Sequence, residues 1–509
     1  MTTSKIQLLN NLPYTLVLIL AALLGALMPV AFAPLSIWPL GILLPALLIL
    51  LADSQGSIRR VFTIGWMFGL GYFGFGVYWL YNSLHDFGNA SPPMAAALTA
   101  LMIVCISLFP AMILGSWKTA QRFLGQSSIW LLPLLWFAFE WFKGWFLTGF
   151  PWLSLGYSQI GSPLSGIAPL VGVYGISALC VLLAVALIRV IKNRQYRYIA
   201  LIVLIPGLGI SIQNIDWTEP QTTPLKITIV QGNIPQEIKW QYDQRQNIFD
   251  IYWRETNQNW DSDLIVWPET AIPGQSEGIQ QSILLPMAIA ATQQDSAILT
   301  GVVVSESEKN KFYNSMLLLG SSQGAYHKRH LVMFGEYYPL RWLLDFMRSY
   351  INIPYSDLTS GAWDQPLMSV KETRLGVSIC YENVFSRDIL SALPEANLLV
   401  NASNDAWFGD SLAPHQHLQI AQMRALESGR PMVRSTNTGI SAFIDYRGRI
   451  IESVGQFRAQ SITREMMGRT GVTPFYYFAK LQGILAALIL AALLIFVFKF
   501  RSLAGTTTS

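Results

Sequence analysis

The sequence predicts a polytopic α-helical membrane domain of eight spans that carries one extracytoplasmic α/β domain. Composition is the first reason. Of 509 residues, 52% are hydrophobic and only 13% charged, with a mean hydropathy of +0.38, whereas a soluble chain carries about a quarter charged residues. The second reason is where the apolar residues fall: in long runs up to Ile212 and again from Leu481, on either side of a block, Asp216 to Lys480, whose periodicity is that of short strands and helices.

The runs cover approximately Leu12 to Phe32, Leu35 to Ala52, Val61 to Tyr81, Met94 to Trp117, Ile129 to Leu147, Leu164 to Ile191, Tyr198 to Ile212 and Leu481 to Phe498. Most approach the ~20 residues that cross a bilayer. The second is short and interrupted by Pro39 and Pro45. The first is too long in its apolar part, and lacks a small-residue cleavage pattern, to read as a removed signal peptide. Lys5, Arg59 with Arg60, Lys118 with Arg122, the group Arg189, Lys192, Arg194 and Arg197, and Lys499 with Arg501 fall on one set of connections. The alternate connections, Ala33 to Pro34, Asn82 to Pro93 and Thr148 to Gly161, hold no Lys or Arg. The bias of basic residues toward the cytoplasm then puts both termini inside and the α/β block outside. These boundaries divide the chain into 1–215 (seven spans), 216–479 (the α/β domain) and 480–509 (the eighth span and a cytoplasmic tail).

Within the block, Ile227 to Asn233, Leu264 to Thr270, Ala297 to Val304, Met316 to Gly320, Arg374 to Ile379, Asn397 to Asp405, Met432 to Asn437 and Ile440 to Gly448 are β-rich and closed by turn residues. Helical patterns such as Gln281 to Gln293 and His417 to Gly429 intervene. A sheet covered by helices follows. The formal net charge of +4 is small and its basic residues are scattered, which argues against nucleic-acid binding. Cys105 and Cys180 lie in apolar runs, so Cys380 stands as an unpaired thiol.

Three strand ends bring chemistry. GVSICYENVF (Gly376 to Phe385) breaks from a strand at Cys380, a corner that can expose a sulfur on a rigid backbone. Trp267, Pro268 and Glu269 end another strand, and HKRHLVMFGEYYPL (His327 to Leu340) supplies Lys328 and then Glu336. A thiolate beside an ammonium has a lowered pKa, a carboxylate can take the thiol proton, and the lysine can hold an oxyanion. Taken one at a time, each residue has a plainer reading. Cys380 could be a buried small hydrophobe, Glu269 a helix cap, Lys328 a solvated loop residue, and Glu336 the partner of a nearby arginine.

Taken in order, VWPET, HKRHLVMFGEYYP, GVSICYE and NASNDAWFG resemble the nitrilase superfamily. With seven spans before and one after, and with LTGFPWLSLGYSQ, QGNIPQEIKW and RALESGRPMVRSTNTGISAFID, the whole chain resembles the bacterial apolipoprotein N-acyltransferases. That resemblance implies an α-β-β-α sandwich and a Glu269, Lys328, Cys380 triad. It implies a ping-pong acyl transfer in the inner membrane, with the triad on the periplasmic side. Cys380 would take an acyl chain from the sn-1 ester of a phospholipid, phosphatidylethanolamine being the expected donor, and pass it to the α-amine of a diacylglyceryl-cysteine on an apolipoprotein. Glu336, Tyr381 and Glu382 would support the triad. No cofactor is implied, and a monomer is expected.

Trp240 is a candidate contact for substrate or else packs beneath a loop; Trp152 beside Phe150 and Pro151 is another, as are Tyr337 and Trp342 in the apolar stretch Tyr337 to Trp363, which reads either as an arm or lid dipping into lipid or as a helix packed on the domain. Glu140 and Lys143, inside the fifth run, are expected to shape a lipid entrance. His415 and His417 have no supporting cluster, so no metal is expected. Two rival readings are a membrane-anchored amidase or nitrilase, and a lipid-binding or transport protein whose cysteine is inert.

Overall fold

The computed structural model describes residues 12–306, 311–337 and 357–505. Two compact units make up the chain, one from Met1–Tyr78, Ala97–Ile215 and Pro474–Ser509, the other from Trp79–Ala96 and Asp216–Thr473.

The first unit is helical. Among the described residues, four helical stretches are long and apolar enough to cross a membrane: Tyr14–Ala31, Pro92–Lys143, Pro163–Asn193 and Pro474–Ile495. Ile58–Gly76 with Leu80–Phe87, bent by 61°, makes a fifth if counted as one span. Length and composition thus give four to five spanning stretches among the described residues where the apolar runs give eight; one of them, Pro92–Lys143, is 52 residues long and takes in most of two runs, and others bend or shorten. Leu40–Asp53 holds Pro45 within 14 residues, about 21 Å of helix against a ~30 Å hydrocarbon core. The run predicted to continue to Tyr81 leaves helical geometry at Val77, where φ is -130°. The predicted span Met94 to Trp117 is divided between helices Pro92–Ile106 and Leu108–Leu124.

Charges placed in the fifth run have local partners. Glu140 Oε1 accepts from Trp136 Nε1 (2.9 Å) and from the backbone N–H of Leu155 (2.8 Å), while Lys143 Nζ donates to the Trp152 carbonyl (3.0 Å). They hold the irregular stretch Pro151 to Gln159 onto helix Leu132–Lys143, satisfying backbone groups that hydrocarbon would leave bare. The expected lipid entrance is not needed to account for them.

The second unit is built on two six-stranded sheets. One runs in the order β13 (Gln460–Met466), β2 (Leu225–Gln231), β3 (Leu264–Val266), β4 (Ala297–Glu306), β5 (Lys311–Gly320), β6 (Gly324–His327). The other runs β12 (Ile450–Val454), β11 (Ser441–Ile444), β10 (Met432–Thr436), β9 (Leu398–Ser403), β8 (Thr373–Ile379), β7 (Met368–Val370). Each has three parallel strands at its centre, β2, β3 and β4 in one and β8, β9 and β10 in the other, flanked by antiparallel neighbours. A small pair, β1 (Glu219–Pro220) with β14 (Arg469–Thr470), completes the unit.

Alternation along the central strands explains the layering. Leu264 and Val266 join Leu398, Val400 and Ala402 in a core that takes residues from both sheets. Ile265 and Trp267, one step out of phase, pack instead with Ile248 and Tyr252 of helix Arg245–Asn257 and with Met287 of helix Leu285–Gln293. Leu399 does the same on the other side with Leu418, Ala421 and Ala425 of helix Ala413–Ser428. Strands buried on both faces read as unbroken apolar runs, and here they lie between a helix layer on one side and a facing sheet on the other. The order is helix, sheet, sheet, helix.

Trp79–Ala96 belongs to this second unit through a short set of contacts. Ser83 Oγ donates to the Trp407 carbonyl (2.7 Å), Asn82 Nδ2 to the Phe408 carbonyl (3.1 Å), and Trp79 packs edge-on against Phe408.

Gly301 sits in β4 where the chain after β3 crosses it. A Cβ there would lie 2.2 Å from the Thr270 amide nitrogen and 2.5 Å from the Pro268 carbonyl oxygen, both backbone atoms. Gly301→Ala is therefore expected to lower stability by about 1–3 kcal/mol through overpacking. It should also cut activity, because the segment it displaces carries Glu269. A thermal melt and a turnover assay on the same preparation check both, and an unchanged melt would contradict the close approach.

Candidate active site

The carboxyl ends of the strands converge on one place, as they do in open α/β sheets generally. Glu269 follows β3, Lys328 follows β6, Cys380 follows β8, Asn404 follows β9 and Asn437 follows β10. Trp267 fixes the first of these: its ring stacks on Tyr252 with centroids 5.0 Å apart, and its Nε1 donates to Thr256 Oγ1 (3.0 Å).

Lys328 is 1% exposed and faces two carboxylates, Glu336 Oε1 at 2.9 Å and Glu269 Oε1 at 3.5 Å. Burial alone would strip its proton, but Glu336 and Glu269 outweigh that and hold the ammonium above its ordinary range. Asn314, in β5, bridges the same two oxygens by donating Nδ2 to Glu269 Oε1 (2.8 Å) and to Glu336 Oε1 (2.9 Å). The remaining oxygens take backbone donors. Asn404 N–H reaches Glu269 Oε2 (2.8 Å) and Val332 N–H reaches Glu336 Oε2 (2.8 Å). Asn404 is seated by an amide chain through Gln236 (2.9 Å) and Asn437 (3.1 Å), the latter also accepting from Ile234 N–H (2.8 Å).

Cys380 has φ +50°, a left-handed conformation costly for a side chain bearing a Cβ, and it opens the short helical turn Cys380–Val384. Glu382 holds that turn against the lysine strand. Fully buried, it accepts from Ile379 N–H (2.7 Å), Arg329 N–H (2.6 Å), His330 N–H (3.1 Å) and the Tyr326 hydroxyl (3.0 Å to each oxygen). Tyr381 stands half-buried beside it, edge-on to Phe385 with centroids 5.1 Å apart.

The thiol departs from expectation. A lowered pKa was the prediction beside Lys328, but burial pushes Cys380 up, Glu269 and Asp405 push it further, and the lysine offsets only part of this. The resting group is a thiol. Burial is the main cause, and because the lysine also faces two carboxylates its charge offsets only part of it.

Other expected contacts land differently. Trp240 is half-buried after the short helix Gln236–Lys239. Trp152 is 1% exposed in the interior of the helical unit, where its carbonyl serves Lys143. Tyr337 closes a turn, its carbonyl accepting from Phe334 N–H (2.8 Å). Trp342 and most of the expected arm lie outside the described residues. Among the described residues no group of three metal-ligating side chains occurs.

Sequence reasoning passed over Asn314, Asn404 and Lys239. Lys239 is 2% exposed and donates to the Glu269 carbonyl (3.3 Å). A lysine in QGNIPQEIKW gives no hint of burial until the loop is folded. Asn314 carried a faint signal, a polar residue leading into the apolar run Met316 to Gly320.

Comparison with known proteins adds a family to this geometry. Residues 24–186 match the apolipoprotein N-acyltransferase N-terminal domain and residues 226–473 match carbon-nitrogen hydrolase. An apolipoprotein N-acyltransferase of Methylococcus capsulatus is 40% identical over 465 residues, 90% of this chain and 92% of the relative. One of Nitrosomonas europaea is 42% identical over 468 residues, 91% and 93%. The chain belongs to the apolipoprotein N-acyltransferase family. Its second unit accordingly has the carbon-nitrogen hydrolase fold, and its first is the apolar helical region that the family's N-terminal domain matches.

Two measurements follow for this member of the family. Because the Cys380 thiol is held up, its alkylation by iodoacetamide is expected to climb roughly tenfold per pH unit from pH 7 to 9; a plateau starting below pH 8 would mean a preformed thiolate. Lys239 is depressed to about 8 by burial, with Glu269 opposing. The unfolded chain keeps that proton to about pH 10.4, so between these values the unfolded state binds more protons and stability rises with pH. Lys239→Met should therefore melt above wild type at pH 7. The gap, about 3 kcal/mol at most, should close toward pH 10, and a gap that ignores pH would refute the assignment.

Proposed function

We propose that this protein transfers an acyl chain from the sn-1 position of a phospholipid, through a thioester on Cys380, to the α-amine of the diacylglyceryl-cysteine of an apolipoprotein. The observation that carries the reading is the single cluster of Glu269, Lys328 and Glu336 beside the strained Cys380 turn, in a chain aligned with acyltransferases over nine-tenths of its length. Glu269 takes the thiol proton as Sγ attacks the ester carbonyl. Of three ammonium hydrogens on Lys328, two face carboxylates and the third is left for the developing oxyanion. As the tetrahedral adduct collapses, the C–O bond to the glycerol breaks, Glu269 returns the proton to that oxygen, and a lysophospholipid leaves. The amine then attacks the thioester, its proton passes to Glu269 and on to the departing Sγ, and the amide is formed. Glu336 orients the lysine, and Glu382 and Tyr381 brace the turn.

The finer assignments belong to the same reading: phosphatidylethanolamine as donor, contacts from Trp240, Tyr337 and Trp342, a monomer, and a bacterial inner-membrane location with the triad periplasmic. Eight spans, with domains 1–215, 216–479 and 480–509, are proposed from the apolar runs and the one-sided basic residues.

Incubated with phospholipid in detergent, the purified protein is expected to gain the mass of one acyl chain, released by hydroxylamine. Cys380→Ala should gain none, and Glu269→Gln should acylate at least about 10²-fold more slowly. A hydrolase would instead release free fatty acid or ammonia without needing a lipoprotein acceptor, and an inert lipid-binding protein would give neither signal.

A further inference from the structure

Asn314, Lys328 and Asn404 hold the carboxylate of Glu269, but none of them holds its main chain. Beyond Trp267, whose N–H still bonds the Leu299 carbonyl (2.8 Å), the chain leaves the ladder and crosses β4 at Gly301, whose N–H reaches the Pro268 carbonyl (3.2 Å). The next peptide, from Glu269 to Thr270, is buried, and Thr270 has φ +49°, a left-handed conformation that is an outlier for a β-branched residue. A buried carbonyl needs a donor. Among the described residues no backbone N–H reaches the Glu269 carbonyl, and its donor is Lys239 Nζ at 3.3 Å, from a residue only 2% exposed. Lys239 closes the helix Gln236–Lys239, and at the other end of that turn Gln236 Oε1 accepts from Asn404 Nδ2 (2.9 Å), the residue whose N–H holds Glu269 Oε2. One short helix thus touches the base through its main chain and through a donor to its carboxylate.

We propose that Lys239 is a positioning residue for the general base, pinning the peptide between Glu269 and the strained Thr270 so that the carboxylate keeps its place beside Lys328. An ammonium is a costly donor for one carbonyl. Among the described residues this is its one hydrogen bond, and a cation closed off from water lowers stability unless it is well paired. The pinned peptide accounts for its presence, because strain beside a reacting group persists only where the surroundings over-determine it. Gly301 crowds the nitrogen of that peptide, where a Cβ would come within 2.2 Å of the Thr270 amide, and Lys239 holds its oxygen. Both polar ends of one peptide are thereby fixed.

The inference rests on the reading of Glu269 as the base for Cys380, and the experiment separates the two. Thioester formation from phosphatidylethanolamine is timed at pH 7 by quenched intact mass on full-length wild type, Lys239→Met, Lys239→Gln, Glu269→Gln, Lys239→Met combined with Glu269→Gln, and Cys380→Ala, with donor KM and thermal melts on each. Lys239→Met is expected to slow acylation at least about fivefold, toward the roughly 10²-fold that a misplacement of about 1 Å can cost. Donor KM should stay unchanged, since only the transition state is affected, and the melt should not fall. On the Glu269→Gln background the same change should cost less than about twofold more, because a lysine that acts through the base has nothing left to position. A smaller loss in Lys239→Met, a raised KM, a lower melt, or a further loss beyond that limit on Glu269→Gln would each overturn the proposal. Should Lys239→Met not fold, Lys239→Gln, whose amide falls short of the lysine tip, is held to the same outcomes. If neither folds, the role is purely structural and the proposal falls. Wild-type acylation in Glu269→Gln, or an adduct that survives in Cys380→Ala, would instead overturn the reading of the site itself.

Discussion

A lysine with no access to water must be paired, and the pairing of Lys328 with Glu269 and Glu336 shapes everything around it. Three ionised groups in one dry place carry a desolvation cost that only good geometry and full hydrogen bonding can offset. The fold meets that demand with parts from distant strands. Asn314 from β5 bridges both carboxylates, Asn404 beyond β9 donates its backbone N–H, and Val332 donates from the loop that also presents the lysine. Each donor fixes one oxygen, so neither carboxylate can turn without leaving a buried group unsatisfied. The cluster is preorganised because it would otherwise be unstable.

The same demand ties the two sheets together at their carboxyl ends. Glu269 comes from one sheet and Cys380 from the other, and among the described residues no hydrogen-bonded ladder joins the two sheets. Polar crossings do that work instead. Glu382 gathers donors from both β8 and the segment after β6, while Asn437, at the end of β10, reaches across to Ile234 and Asn404. The apolar layer between the sheets sets their separation, and these crossings set the position of one sheet's strand ends against the other's. A slip of one residue in β8 would point Cys380 into the helix layer and leave Glu382 without its donors.

Much of this was legible before folding, and the reason lies in where each residue sits. Glu269, Lys328 and Cys380 each end a strand, and strand ends announce themselves through turn residues such as Pro268 and the break after Ile379. Asn404 and Lys239 act through a main-chain N–H and a buried tip, neither of which leaves a mark in composition. His417 was weighed with His415 only as a metal pair and set aside for want of a cluster. Only the fold shows Asp405 twelve residues upstream taking its Nδ1. The helical unit was legible as apolar, but its bends were not, because a hydropathy run is blind to the break after Gly76 and to the irregular backbone that Glu140 and Lys143 secure. The cysteine's proton was misjudged for a related reason: burial, the largest influence on the thiol, leaves no mark in the sequence, which showed the lysine without showing how little of that cost it offsets.

That last point bears on how the acyl-transfer reading works as chemistry. A preformed thiolate near a lipid surface would react with any electrophile and, buried, would need its own counter-charge. A protonated thiol needs neither. In the proposed mechanism the nucleophile would exist only while Glu269 holds its proton, which would couple attack to the presence of an ester carbonyl where Lys328 can stabilise the oxyanion. The thioester that follows is prone to hydrolysis, and a site with Lys328 and Glu269 both nearly closed to solvent offers few water molecules to compete with an amine. The burial that raises the thiol's pKa and the burial that protects the intermediate are therefore one feature. Opening the site to make a faster nucleophile would also admit the water that turns a transferase into a hydrolase.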